Sequence, residues 1–217
     1  MAVNEKAYHQ IIQEFAKSSV TLVAVSKLKP ASDIEALYKL GQLDFGENYV
    51  QELVEKQAVL PANINWHFIG HLQSNKVKYI APFVHLIHGV DSLKLLQEIN
   101  KQALKNNRVI DCLLQVHIAK EETKFGMDAP ELSDALEAAK HLPNVNIRGL
   151  MGMASFSDDQ DVVASEFNYL HELFTTHHFN VQPTAVLSMG MSADYALSIK
   201  SGCTMVRIGS LLFGARQ

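Results

Sequence analysis

Short apolar segments alternate along the chain with segments in which apolar residues recur every three to four positions. Eight of the apolar segments are rich in β-branched residues and typical of strands; they begin near residues 20, 43, 65, 84, 109, 145, 184 and 204. Segments of helical period separate them, so strands and helices alternate. Near-continuous apolar runs such as residues 109–116 indicate strands that are covered on both faces, as in a parallel sheet. Eight such repeats favour a closed barrel over an open doubly wound sheet.

An additional amphipathic helix is predicted before the first strand, over residues 4–17. Its apolar side is formed by Tyr8, Ile11, Ile12 and Phe15. No linker or low-complexity stretch divides the 217 residues, of which 47% are hydrophobic. The chain is therefore expected to form one hydrophobic core. We therefore predict a single-domain (β/α)8 TIM barrel over residues 1–217 with an extra N-terminal helix.

The composition favours a small solute as the binding partner. The formal net charge is −4 and the basic residues form no stripe, which argues against nucleic acid. No apolar run approaches the ~20 residues of a membrane span, and the first residues lack a signal-peptide core, so a cytoplasmic protein is expected. Cys112 and Cys203 lie in or beside apolar strands, as expected for buried, reduced thiols.

Polar residues at the carboxyl ends of the strands are the candidates for chemistry, because the loops there surround one cavity. Lys27 ends the first strand and Asn48 the second; the others are His71, Arg148, Ser155, Ser188, Arg207 and Ser210. A lysine in such a pocket loses solvation, which leaves more neutral amine to attack a carbonyl and form a Schiff base. The alternative is that Lys27 extends from the rim into water.

Two glycine-containing turns near the C-terminal end are typical of phosphate binding. Residues 187–194 run from a strand through Gly190 into a helix start, where Ser192 is expected to cap the helix. The second turn provides Gly209 and Ser210. Many barrels hold a phosphate in the loops after strands seven and eight. Either glycine alone is equally consistent with an ordinary turn, and no nucleotide-binding glycine motif occurs.

A lysine that faces a phosphate site suggests a phosphorylated aldehyde, pyridoxal 5′-phosphate (PLP). An arginine cannot readily lose a proton, so Arg207 opposite the pyridine nitrogen would keep that nitrogen unprotonated. The ring would then be a poor electron sink, which favours holding the cofactor over carbanion chemistry. The alternative for Arg207 is a structural ion pair.

Seven segments occur along the chain in this order: "AVSKLKP", "FGENYVQE", "WHFIGHLQSNK", "KFGM", "GLMGMA", "LSMGMSAD" and "VRIGSLLFG". Together they resemble the pyridoxal-phosphate homeostasis protein family, single-domain relatives of the barrel half of alanine racemases. The resemblance implies an internal aldimine on Lys27, and Asn48 close to the ring. It also implies Arg207 toward the ring nitrogen. The residues that it implies at the phosphate are Ser188, Gly209 and Ser210.

The resemblance implies a protein that stores, buffers or delivers PLP with little or no catalysis, with PLP-dependent apoenzymes as possible recipients. Two positions depart from the family pattern: Leu28 replaces a threonine and Ala154 a proline. The main alternative is an amino-acid racemase, which needs two opposed proton-transfer groups. In the racemases a tyrosine from a further domain of a partner subunit is the second group. That domain is expected to be missing here, which favours a monomer.

Tyr49 or Tyr195 could replace the missing racemase tyrosine, although both are expected early in helices. A Schiff-base aldolase that acts on sugar phosphates is a third alternative. A metal site is not expected from the histidine pairs, because neither pair has a helical setting that would put both rings on one face. Those pairs are His67 with His71 and His85 with His88.

Overall fold

A computed structural model describes residues 3–16, 18, 20–121, 123–179 and 184–214. Eight parallel strands follow each other in sequence order, and the first pairs with the last, so the sheet is closed. The strands are β1 (Thr21–Val25), β2 (Asp44–Glu47), β3 (Asn65–Phe68), β4 (Leu86–Val90), β5 (Ile110–Gln115), β6 (Val145–Met151), β7 (Val186–Met191) and β8 (Met205–Ile208). This confirms the predicted (β/α)8 barrel.

Helices surround the barrel. They are α1 (Glu5–Phe15), α2 (Ala31–Lys39), α3 (Val50–Val59), α4 (Val77–Ile80), α5 (Leu93–Lys105), α6 (Ala129–Ala139), α7 (Gln160–Thr176), α8 (Tyr195–Lys200) and α9 (Ser210–Phe213), with a 3-10 turn over Ser74–Lys76. The extra N-terminal helix is therefore confirmed as α1, and a short helix, α9, follows the last strand.

Alternation along each strand produces two apolar layers. In β1, Leu22 and Ala24 belong to the large cluster between the sheet and the helices. Val23 points the other way, into a smaller cluster inside the barrel. The other members of this inner cluster are Leu86, Leu113, Met151, Val186 and Met205. Because both faces are buried, most positions of the strands are apolar.

Helix α1 begins after Asn4, whose side chain accepts a hydrogen bond from the amide of Ala7 at 3.1 Å. Its buried residues are Tyr8, Ile11 and Phe15. Ile12, which was predicted on the same apolar side, is 38% exposed. The buried residues follow a spacing of three and four, and Ile12 lies at the edge of that stripe.

Gly190 is required by both conformation and space. Its φ is +83°, and an added Cβ would lie 2.1 Å from Oγ of Ser198 in α8. Gly41 also has a positive φ, +101°, but an added Cβ there would meet nothing within 4 Å. A side chain at Gly41 would therefore introduce backbone strain alone, whereas a side chain at Gly190 would introduce backbone strain and a steric clash.

We expect Gly41→Ala to lower the free energy of unfolding by about 1 kcal/mol, the cost of a side chain at positive φ. Gly190→Ala should lower the free energy of unfolding by about 3 kcal/mol, because a steric clash with Ser198 adds to the same backbone strain. Urea denaturation of both variants measures the difference. Equal losses would contradict the close packing of β7 on α8.

Candidate functional site

A cavity of about 350 Å³ opens at the carboxyl ends of the strands. Five of the six residues predicted to bind a cofactor line it: Lys27, Asn48, Arg207, Gly209 and Ser210. Lys27 and Asn48 were expected to end strands, but each lies in the loop after its strand. Apolar walls come from Val25, Ile69, Met153 and Met191. The structure thus brings together most of the residues that the sequence identified.

The loop that carries Lys27 is held by hydrogen bonds from the two residues that follow the lysine. The amide of Leu28 donates to Oε1 of Glu52 at 2.6 Å, and Nζ of Lys29 donates to the carbonyl of Phe213 at 2.9 Å. Leu28 has a φ of +61°, which is uncommon for a residue with a side chain. Its side chain is 66% exposed, so Leu28 takes part through its backbone.

A buried ion pair, which the sequence pattern does not reveal, lies behind this loop. Nζ of Lys56 donates to Oε1 of Glu47 at 2.7 Å, to Oε1 of Glu52 at 2.6 Å and to the carbonyl of Ser26 at 2.8 Å. The hydroxyl of Ser26 also donates to Oε1 of Glu47, at 2.6 Å. Burial raises the pKa of Glu47, and the charge of Lys56 opposes that shift. The network joins the residue before Lys27 to β2 and α3.

Asn48 presents a polar atom that has no partner of its own. Its Oδ1 is buried and accepts no hydrogen bond from any residue that the structure describes. The residue lines the cavity next to Gly70, where an added Cβ would lie 2.4 Å from the carbonyl oxygen of Asn48. Buried polar atoms normally have a partner, so this oxygen indicates a ligand with a hydrogen-bond donor.

Arg207 is connected to the inside of the barrel by a chain of side chains. Its Nη1 donates to Oγ of Ser188 at 2.6 Å, and Oγ lies 3.1 Å from Nδ1 of His88. Nε2 of His88 lies 2.9 Å from Nδ1 of His67. Nε2 of His67 lies 2.9 Å from Oδ1 of Asp44. The chain crosses the barrel from the cavity to the start of β2.

The chain assigns its own protons. The Asp44 carboxylate can only accept, so His67 donates to it from Nε2 and accepts at Nδ1 from Nε2 of His88. Nδ1 of His88 then accepts from the Ser188 hydroxyl, whose oxygen accepts from Arg207. Burial holds the pKa of His88 well below its usual value, so the ring is neutral. Burial also lowers the pKa of Arg207, to about 10, so its charge is kept at neutral pH.

Ser188 differs from the other predicted site residues. It lies in the middle of β7, is fully buried and supports Arg207 instead of lining the cavity. Ser192, in the loop directly after β7, lines the cavity. Its Oγ accepts a hydrogen bond from the amide of Gly209 at 3.3 Å. Ser192 does not cap α8 as expected. Asp194 is the N-cap residue of that helix.

The remaining polar residues near strand ends have structural partners away from the cavity. Arg148 donates to Oδ2 of Asp111 at 2.6 Å, and Ser155 donates to Oε1 of Glu166 at 2.6 Å. His71 lies 2.9 Å from Asp91 and stacks on Phe125. Cys112 and Cys203 are free and buried, as predicted.

Comparison with known proteins identifies the family of this chain. The alanine racemase N-terminal domain model matches residues 6–217. The pyridoxal phosphate homeostasis protein of Aquifex aeolicus is 42% identical over 199 residues, which cover 90% of this chain and 87% of that protein. The chain belongs to the pyridoxal phosphate homeostasis protein family. This confirms the resemblance seen in the sequence.

Among solved structures, PipY of Synechococcus elongatus is similar to this chain. PipY without PLP has a TM-score of 0.90 and 34% identity, and the match covers 96% of this chain and 99% of PipY. PipY with PLP bound has a TM-score of 0.85, with the same identity and coverage of 96% and 100%.

In the part of the chain that the structure describes, no helix is long and apolar enough to cross a membrane.

We expect Lys56→Met to lower the free energy of unfolding by about 3 kcal/mol at pH 7, because Glu47 is left buried without its cation. The loss should grow as the pH rises above the ordinary Glu pKa of 4.5. The folded variant then keeps a proton on Glu47 that the unfolded chain releases. Urea denaturation between pH 5 and pH 8 measures this trend.

The matched control is Lys39→Met, which breaks the exposed pair with Glu35 at the same helical spacing as Lys56 and Glu52. Lys39→Met should lower the free energy of unfolding by less than about 0.5 kcal/mol, and this loss should depend little on pH. A similar cost for both variants would show that the buried network does not hold the loop.

Proposed function

We propose that this protein binds pyridoxal 5′-phosphate covalently through Lys27 and serves the homeostasis of the cofactor in the cytoplasm. It would store, buffer or deliver PLP with little or no catalysis. The observation that carries the proposal is the cavity itself, in which Lys27, the partnerless Oδ1 of Asn48 and the turn at Gly209 meet. A solved relative, PipY, is described with PLP bound, which supports the same ligand here.

The residues that line the cavity fit such a cofactor. PLP supplies an aldehyde that condenses with an amine, with loss of water, and a pyridine ring that can withdraw electrons. Lys27 provides the amine, and Asn48 provides an acceptor near the ring. The hydroxyls of Ser192 and Ser210 and the adjoining backbone amides would hold the phosphate. About 350 Å³ is within the range of small-molecule sites.

Arg207 favours holding the cofactor over using it. It lines the cavity, keeps its charge when buried, and is fixed by Ser188 and by the carbonyl of Gly152 at 3.0 Å. We propose that it faces the pyridine nitrogen. A cation there does not donate a proton to the ring, so the ring stays a weak electron sink.

A racemase would require a second proton-transfer group opposite Lys27. Among the described residues that line the cavity there is no tyrosine, histidine, cysteine or carboxylate. Tyr195 directs its hydroxyl to Glu14 at 3.3 Å and packs its ring against Phe15. Tyr49 is 54% exposed at the start of α3. These positions support the carrier function over racemisation.

The proposal extends to the partners of the protein. PLP-dependent apoenzymes would receive the cofactor, and the protein would act as a monomer. Phe156 lines the cavity and is 97% exposed, so the mouth of the cavity is open to a second protein.

We expect added PLP to give a new visible absorption band with the wild-type protein and none with Lys27→Ala. Borohydride reduction should leave the pyridoxyl group on the peptide that contains Lys27, as mass spectrometry would show. Lys29→Ala is the comparison, since Lys29 lines the same cavity but is bonded to Phe213; it should still be labelled at Lys27.

Labelling of Lys29, or equal labelling of several lysines, would contradict the assignment. The absence of a band in every protein would contradict PLP binding altogether. It would favour the aldolase alternative, in which Lys27 attacks the carbonyl group of a sugar phosphate.

We expect the PLP-loaded protein to form no more D-alanine from L-alanine than free PLP does, because the described residues of the cavity include no tyrosine, histidine, cysteine or carboxylate, and the amine of its second lysine, Lys29, is bonded to the carbonyl of Phe213. Chiral chromatography measures the product. Turnover at the rate of ordinary enzymes, about 1 s⁻¹ or more, would show that the protein is a racemase.

A further inference from the structure

Three metal-ligating side chains meet at the amino-terminal end of the barrel, outside the cavity. Asp44 begins β2, His67 lies in β3 and His85 directly precedes β4. One potential ligand atom from each lies within 4.8 Å of the other two. The three strands are neighbours in the sheet, so their pairing fixes this juxtaposition.

The donor set is one carboxylate and two imidazoles. Nε2 of His67 lies 2.9 Å from Oδ1 of Asp44, and the ring centroids of His67 and His85 are 5.3 Å apart. Bonds of ~2.0–2.1 Å to a tetrahedral zinc ion place its ligands roughly 3.3 Å apart, so small side-chain shifts suffice. We propose that Asp44, His67 and His85 bind one Zn²⁺ ion, with water at the fourth position.

The surroundings orient these ligands. Nδ2 of Asn65 donates to Oδ1 of Asp44 at 3.2 Å, and Nδ1 of His67 is 2.9 Å from Nε2 of His88. Such outer partners are typical of metal-binding histidines and carboxylates. Binding of the ion at Nε2 of His67 moves the ring proton to Nδ1. The proton of His88 then has to move to its own Nδ1, so that Nε2 accepts from His67 and the Ser188 oxygen accepts from both His88 and Arg207.

The site is accessible, and its electrostatics permit a cation. His85 is exposed, and the side chain of Asp44 is 25% exposed, which leaves an entry path. The charge of Arg148, which acts on His85, is balanced by Asp111 at 2.6 Å. The amino-terminal face of such barrels serves stability, so the ion would tie together the ends of three strands.

Calorimetric titration of the chelator-treated, tag-free protein with Zn²⁺ tests this site. We expect one ion per chain, and binding more than about ten-fold weaker in His85→Ala and in Asp44→Asn, since losing even an outer partner typically costs that much. Cobalt should give the visible bands of a low-coordinate nitrogen and oxygen site in the wild type only. Mg²⁺, which prefers oxygen ligands, should not bind.

The control is His71→Ala, which removes another exposed histidine that is paired with a carboxylate, Asp91. It should bind zinc as the wild type does. Zinc should also raise the melting temperature of the wild type but not that of His85→Ala. The proposal is overturned if there is no stoichiometric binding, if His85→Ala retains it, or if His71→Ala weakens it equally.

Discussion

The contact between Lys56 and Glu47 is the constraint on which the site depends. One ammonium group binds Glu47, Glu52 and the carbonyl of Ser26, and so connects a helix, a strand and the start of the Lys27 loop. Burying two charges costs free energy because both lose their hydration. We therefore attribute the role of this pair to the geometry that it fixes and not to a gain in stability. Glu52 then binds the amide of Leu28, on the other side of Lys27. The lysine is thereby placed before any ligand arrives.

The opposite wall of the cavity is built in a comparable way. Arg207 points from β8 into the cavity, and Ser188, His88, His67 and Asp44 support it from inside the barrel. Every member of the chain has a partner, so Arg207 is fixed without an ion pair to any carboxylate among the described residues. Both walls are therefore rigid, and the chemistry available to a ligand is limited by the groups already present. This arrangement supports the proposed carrier function over catalysis.

The fold could be predicted because strand and helix periods are local properties of the sequence. Lys27 and Asn48 could be predicted because they follow strands whose ends converge on one cavity. Ser188 was misplaced because strand alternation turns it under Arg207 instead of toward the cavity. The Glu47–Lys56 pair and the histidine chain could not be predicted, since contacts across strands depend on the register and stagger of the closed barrel.

The central claim is that this cavity holds PLP through Lys27. An electron-density map of the protein crystallised with equimolar PLP tests it most directly. The account predicts density continuous with Nζ of Lys27, with the phosphate against the loops that carry Ser192 and Ser210. Density joined to another lysine, or located outside the cavity, would contradict it.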